Sequence, residues 1–278
     1  MSGFLDEMAR SSAARAASAG PLGPLLARAQ ATPTPPRLTL RGFDLFAEVK
    51  RASPSEGALI AEPRVGEPRV GGPDFAAAAA ARYARAGAAA VSVLTEPSRF
   101  GGSLADLAAA AGASAAPVMR KDFLVDPIQL VEARLAGAGG ALLIARMLDD
   151  ARLSEMLAAA AELSLFVLLE AFDAADLARC GRVIAAAPGQ VLVGLNSRDL
   201  STLRVDAGRL TALADCLPTG AVAVAESGLH APSDAARVAE RGYAAALVGS
   251  ALMRSDDPAA LAADFIEAGR AAKGAPCS

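Results

Sequence analysis

A rhythm restricts the fold of this chain more than any single motif does. Short apolar segments rich in Val, Leu and Ile recur at 45–50, 89–94, 117–120, 140–145, 164–169, 190–195, 221–225 and 244–248. Helix-like stretches follow them at 74–86, 103–111, 127–136, 149–162, 173–187, 206–217, 232–241 and 258–268. Many of these open on Asp or Ser as an N-cap or carry Pro in the first turn. Several close on Gly, at Gly87, Gly112, Gly137 and Gly242. Past the first unit the strands recur every 23–31 residues or so, the length that one strand, one helix and two short connections need. The apolar runs are nearly continuous rather than alternating, which suits a parallel sheet covered by helices. Eight such units predict an α/β fold, a (β/α)8 TIM barrel with an extra N-terminal helical segment. An open doubly wound sheet would carry a Gly-rich fingerprint after its first strand, and none is present.

On this reading residues 1–44 form a helical extension and connector, 45–270 the barrel, and 271–278 a tail. Within the extension, Leu5, Met8 and Ala9 are spaced for one face of a helix over 4–19, which caps the barrel. Gly20-Pro21 ends it, 22–30 reads as a second short turn, and 32–36 is a Pro-rich connector. The loop after the first strand is unusually long and holds an immediate repeat, Glu62-Pro63-Arg64-Val65-Gly66 then Glu67-Pro68-Arg69-Val70-Gly71. A lid over the substrate is one reading. A duplication tolerated in a loop, where added length costs little, is the simpler one.

Composition narrows the chemistry. Trp is absent and aromatic residues make up 4% of the chain, which argues against base stacking. A net charge of −3 without a basic stripe argues against nucleic acid and anionic membrane surfaces as partners. No apolar run reaches the roughly 18 residues of a membrane span. The N-terminus, with Asp6 and Glu7, lacks a signal pattern, so the chain is expected to be cytoplasmic. Cys180, Cys216 and Cys277 are too few and too scattered for a disulfide framework. With His230 as the one histidine, Ser-His-Asp chemistry and His-rich metal sites have nothing to be built from. Acid–base work falls to Lys, Glu and Asp.

In a barrel of this kind the C-terminal strand ends form the floor of the site. Strand one ends with Glu48 and Lys50, two residues apart and therefore on one face. Taken alone they read equally well as a structural ion pair. Yet Lys121 ends strand three, Glu170 strand five, Asn196 strand six and Glu226 strand seven. Two lysines, three glutamates and an amide around one mouth can bind an anionic substrate and move protons. The two lysines lower each other's proton affinity while the glutamates oppose that. Ser227-Gly228 and Gly249-Ser250 follow strands seven and eight, where backbone N–H groups commonly hold a phosphate. The plainer alternative is that these glycines only make tight turns.

Six stretches together resemble the indole-3-glycerol phosphate synthase family. They are the run from Ala47 to Ser55, Ser92-Val93-Leu94-Thr95-Glu96, Arg120-Lys121-Asp122-Phe123, the run from Leu195 to Leu200, Ala225-Glu226-Ser227-Gly228 and Val248-Gly249-Ser250. The resemblance covers the whole barrel, in order. It implies a carbon–carbon lyase of tryptophan biosynthesis that closes the indole ring of 1-(2-carboxyphenylamino)-1-deoxyribulose 5-phosphate, releasing CO2 and water. By motif, Lys121 would be the general acid at the carbonyl oxygen as the ring closes. Glu170 would serve the later proton transfers, with Lys50 as second acid beside Glu48, while Asn196 and Glu226 orient the substrate. Ser53, Ser227, Gly228, Gly249 and Ser250 would hold the phosphate, and Arg198 and Phe123 border the aromatic ring. No cofactor and no metal are implied, the partner is a small phosphorylated molecule, and the chain is expected to act as a monomer.

Two features depart from the pattern. Phe172 stands where many relatives have His, and the repeat lengthens the first loop. The first is not expected to abolish the chemistry, the second is expected to alter closure over the substrate, and both fit a duplicated copy serving a specialised pathway. The competing enzyme reading, phosphoribosylanthranilate isomerase, needs a Cys and Asp pair, and no Cys lies at a strand end. A non-catalytic ligand-binding barrel should have shed charges that are costly to bury; Glu48, Lys50, Lys121, Glu170 and Glu226 are all present. His230 reads as a surface loop residue. Arg146 reads as a rim residue rather than a contact to the substrate carboxylate.

Overall fold

A computed structural model describes residues 3–54, 57–58, 72–200, 202–206 and 208–274. The eight expected strands are present: β1 (Asp44–Val49), β2 (Ala90–Leu94), β3 (Val118–Lys121), β4 (Gly140–Ile144), β5 (Phe166–Ala171), β6 (Val191–Asn196), β7 (Ala223–Glu226) and β8 (Ala245–Val248). All pair in parallel with their sequence neighbours, and β8 returns to β1, closing the barrel. Seven of the eight bury almost every residue, because the inner face packs the barrel and the outer face meets helices. The register aligns the polar strand ends at one rim: Leu94 lies opposite Lys121, Ile144 opposite Glu170, and Asn196 opposite Glu226.

The helices begin where their caps are. Asp126 opens Pro127–Leu135, accepting from the Ile128 amide at 3.0 Å, while the Gln129 side chain accepts from the Asp126 amide at 3.1 Å. This reciprocal box satisfies two donors that a helix start otherwise leaves unpaired. Several stretches differ from expectation. The helix expected over 206–217 is reduced to Arg209–Ala212 and a 3-10 turn, Ala214–Cys216. The chain entering it is spent on a turn that brings Arg198 and Val205 together as an isolated bridge. The last helix, Pro258–Gly274, runs beyond the expected end at 268 and takes in the start of the expected tail. Gly112 lies within Leu104–Ala113 rather than closing it.

The N-terminal segment forms two helices, α1 (Gly3–Ala17) and α2 (Leu22–Ala31), so the second is a full helix rather than a turn. Leu5, Met8, Ser12 and Ala16 make the buried stripe of α1. Three contacts fasten α1 to the rim beside β3. Arg15 pairs with Asp122, the Gln129 amide donates to Ser12 Oγ at 2.8 Å, and Phe4 packs edge-on against Phe123 at 5.8 Å between centroids. Past β1, Ala52–Ser53 and Gly57–Ala58 pair as a short antiparallel ladder. The Glu-Pro-Arg-Val-Gly repeat lies outside the described residues, as does Cys277. No helix among the described residues is long and apolar enough to cross a membrane.

Candidate active site

One cavity opens at the C-terminal rim, and all thirteen residues singled out from the sequence line it: Glu48, Lys50, Ser53, Lys121, Phe123, Glu170, Asn196, Arg198, Glu226, Ser227, Gly228, Gly249 and Ser250. They converge because the inward-facing residues of successive parallel strands share one height at the mouth. Lys121 stands at the centre. Its Nζ is 3.6 Å from Glu170 and 3.8 Å from Glu226, both nearly inaccessible, while its own side chain keeps 17% exposure. Beside it, Lys50 pairs with Glu48 at 3.1 Å. The Asn196 amide donates to Glu170 Oε1 at 2.6 Å and its carbonyl oxygen accepts from the Arg198 amide at 2.8 Å. That second bond settles which way the Asn196 amide faces.

The electrostatics answer a balance that residue order left open. Burial alone would lower the proton affinity of Lys121, but Glu170, Glu226 and Glu48 together outweigh it and raise the lysine above its ordinary value. Lys121 is therefore a charged donor at any pH near neutrality. Glu226 is raised as well, in spite of that lysine. Burial and the neighbouring Glu170 charge lift it well above the carboxylate range, against the pull of Lys121. Neither Glu226 oxygen has a hydrogen-bond partner, nor does Glu170 Oε2, so the site holds unspent accepting capacity aimed at its centre.

Two glycines leave room for these carboxylates. A Cβ at Gly249 would stand 2.4 Å from Glu48 Oε1, and one at Gly194 would stand 2.0 Å from Glu226 Oε1. At the end of β7, Ser227 (φ 65°) and Gly228 (φ 71°) adopt left-handed backbone in succession. That conformation is uncommon for a serine.

Several cavity residues escaped sequence reasoning. Phe4 arrives from α1 and Phe100 from the loop after β2, with Phe100 6.1 Å from Phe123. Leu200 and Leu203 come from the turn after β6. Together these add apolar and aromatic lining to a cavity that also holds the serines and glycines of the β7 and β8 ends. A short-range signal existed for Phe100, which follows the Ser92–Glu96 stretch closely in the chain; none existed for Phe4. His230 is exposed yet borders the cavity. Arg146 is on the rim outside it, bound to Asp173 at 2.6 Å and Asp176 at 2.5 Å and lying over the buried Phe172 ring at 4.7 Å. No cluster of metal-ligating side chains occurs among the described residues.

The family model described as indole-3-glycerol phosphate synthase matches residues 37–265. A protein of that name from Parafrankia sp. is 44% identical over 227 residues, which cover 81% of this chain and 78% of that one. Another from Leifsonia xyli is 42% identical over 262 residues, covering 93% of this chain and 94% of that one. A third, from Mycobacterium leprae, is 40% identical over 254 residues, covering 89% and 87%. Among solved structures, 3-hexulose-6-phosphate synthase from Salmonella typhimurium superposes with a TM-score of 0.57 at 15% identity, over 81% of this chain and 98% of that one. At that identity it speaks for the barrel alone. With most of its length matched by the family model and by relatives at 40–44% identity, the chain belongs to the indole-3-glycerol phosphate synthase family.

Proposed function

We propose that this protein closes the indole ring of 1-(2-carboxyphenylamino)-1-deoxyribulose 5-phosphate. The observation that carries the reading is the position of Lys121, a charged ammonium between two buried carboxylates at the foot of a cavity with aromatic lining. In the first step the ring carbon bearing the carboxylate bonds to the substrate's carbonyl carbon. Charge develops on the carbonyl oxygen, and Lys121 donates a proton to it. Carbon dioxide then leaves from that ring carbon and returns its electron pair to the ring. The hydroxyl just formed departs as water, with a proton lost from the adjacent methylene carbon. Glu170 takes the base role in these later transfers, and Lys50, held by Glu48, is the second acid.

Asn196 and Glu226 orient the substrate. Ser53, Ser227, Gly228, Gly249 and Ser250 grip its phosphate through hydroxyls and backbone amides, which the small residues let approach closely. Phe123 and Arg198 border the aromatic ring. Holding the phosphate and the ring by separate groups fixes the reacting carbons between them, which is where an entropic gain in rate arises. The protein serves as a cytoplasmic monomer in this reading, needs neither metal nor cofactor, and is built as a helical extension (1–44), a barrel (45–270) and a tail (271–278).

Purified protein and substrate, without added metal, should generate the indole product, followed by its fluorescence. Binding of the substrate with no indole formed would overturn the assignment.

A further inference from the structure

We infer that Gly194 is a positioning residue for the reaction, holding open the slot in which the Glu226 carboxylate lies. Gly194 is on β6, paired in register with Glu170 on one side and Val224 on the other, two residues before Asn196 and so on the same inward face. A Cβ there would meet Glu226 Oε1 at 2.0 Å, Glu226 Cδ at 3.1 Å and Leu168 Cδ1 at 3.2 Å. Glu226 therefore does not rise straight into the cavity from the end of β7. Its carboxylate leans across the neighbouring strand into the space that any other residue at 194 would fill. That placement leaves Glu226 1% exposed, 3.8 Å from Lys121, with both oxygens free of hydrogen bonds.

The backbone at 194 is an ordinary strand, so no conformational need for glycine exists there. Space is the requirement, and one flexible carboxylate creates it. A methyl group at 194 has an inexpensive escape, since Glu226 can rotate its head group up into the cavity. The barrel then survives while the carboxylate leaves its place beside Lys121. The inference rests on the proposal that Glu226 belongs to the reacting site.

The test is a double-mutant cycle of Gly194→Ala and Glu226→Ala, with turnover, thermal unfolding and carboxyl titration as readouts. Gly194→Ala should lower kcat at least tenfold with a smaller change in KM. The same change made in Glu226→Ala protein should cost nothing further, because the atom it displaces is gone. In protein carrying 13C-labelled glutamate carboxyls, the resonance lost in Glu226→Gln should titrate at lower pH in Gly194→Ala, as the head group reaches water. That readout needs no turnover, so it separates this inference from the catalytic assignment. Full activity in Gly194→Ala, effects that multiply independently in the double variant, or an unmoved Glu226 titration would each overturn it. If Gly194→Ala alone fails to fold, the double variant decides: recovery of folding on removing Glu226 supports the shared slot, and continued failure refutes it.

Discussion

Arg15 in α1 grips both oxygens of Asp122, the residue after Lys121, through two hydrogen bonds of 2.8 Å. The Thr95 hydroxyl donates to the same carboxylate at 2.7 Å and Arg120 at 3.2 Å. A helix from the start of the chain is thereby tied to the strand end that presents the central ammonium. Arg15→Ala removes one partner of a carboxylate that has no exposed surface, so unfolding free energy should fall by about 2–4 kcal/mol. Denaturant titration checks this, and kcat should fall with it if the tie also steadies Lys121.

The same carboxylate sets an acid limit. Burial works against its charge, but the bonds from Arg15, Arg120 and Thr95 prevail and bring Asp122 from 3.8 down to about 2. A depressed folded-state value contributes stability above the unfolded value that is lost as pH falls through the folded one. Stability should therefore drop by about 2 kcal/mol between about pH 4 and pH 2 on account of Asp122. Unfolding midpoints of Asp122→Asn, lower at neutral pH, should decline less steeply across that window.

Lys121→Ala should cut turnover by about 10²–10⁴-fold, the usual worth of a positioned general acid. The variant also removes the cation that opposes the upward shift of Glu226, so Glu226 holds its proton to still higher pH. Its unfolding temperature should rise on acidification from pH 8 to pH 6, and a flat profile would show that Glu226 does not respond to Lys121.

How much of this was legible in the sequence follows from the range of the interactions. Every barrel strand was legible because burial on both faces demands a continuous apolar run. That these thirteen residues line one cavity was legible because they stand at or just past strand ends, where the topology alone brings them together. Phe4 was not, since nothing local says that α1 docks beside β3 rather than elsewhere; the Arg15–Asp122 and Ser12–Gln129 contacts span more than a hundred residues. Gly194 was hidden for a related reason. A glycine inside an apolar strand reads as a weak spot, and its purpose appears only once the Glu226 side chain is seen to cross from β7. The reduced helix at 209–212 shows the opposite error, in which local helical pattern yields to the needs of the turn at Arg198.

Glu226→Gln should stabilise the protein while impairing it. A carboxylate raised by burial binds protons more tightly folded than unfolded, so its contribution to stability is present at low pH and lost as pH rises through the folded value. Replacing it by a neutral amide removes that loss. The unfolding temperature should increase at pH 8 by about 2–4 °C for each kcal/mol recovered, and the gain should shrink toward pH 5. Turnover should decrease, as expected where an active site retains a costly charge for function.

Phe4→Ala opens the aromatic lining. The ring lines the cavity and packs edge-on against Phe123, and neither group exchanges protons. Loss of such a contact removes binding that is common to ground state and transition state, so KM should increase about tenfold with kcat nearly unchanged. A fall in kcat without a change in KM would place the ring in the chemical step instead.

Phe172 stands where the family resemblance implies a His, and its surroundings indicate what a phenylalanine does there. The ring is 3% exposed, does not line the cavity, and supports the Arg146 guanidinium at 4.7 Å from above. Arg146 is in turn fixed by Asp173 and Asp176, with Asp176 also accepting from the Phe172 amide at 3.0 Å. The aromatic ring thus props a rim ion pair one turn of chain beyond Glu170, without reaching the reacting groups. Phe172→His should leave kcat and KM close to those of the parent. Phe172→Ala should lower unfolding free energy by about 3–5 kcal/mol, the cost of emptying a buried ring site. A large gain in turnover with Phe172→His would instead make this position part of the proton-transfer machinery, and paired kinetics and denaturant unfolding on the two variants distinguish these outcomes.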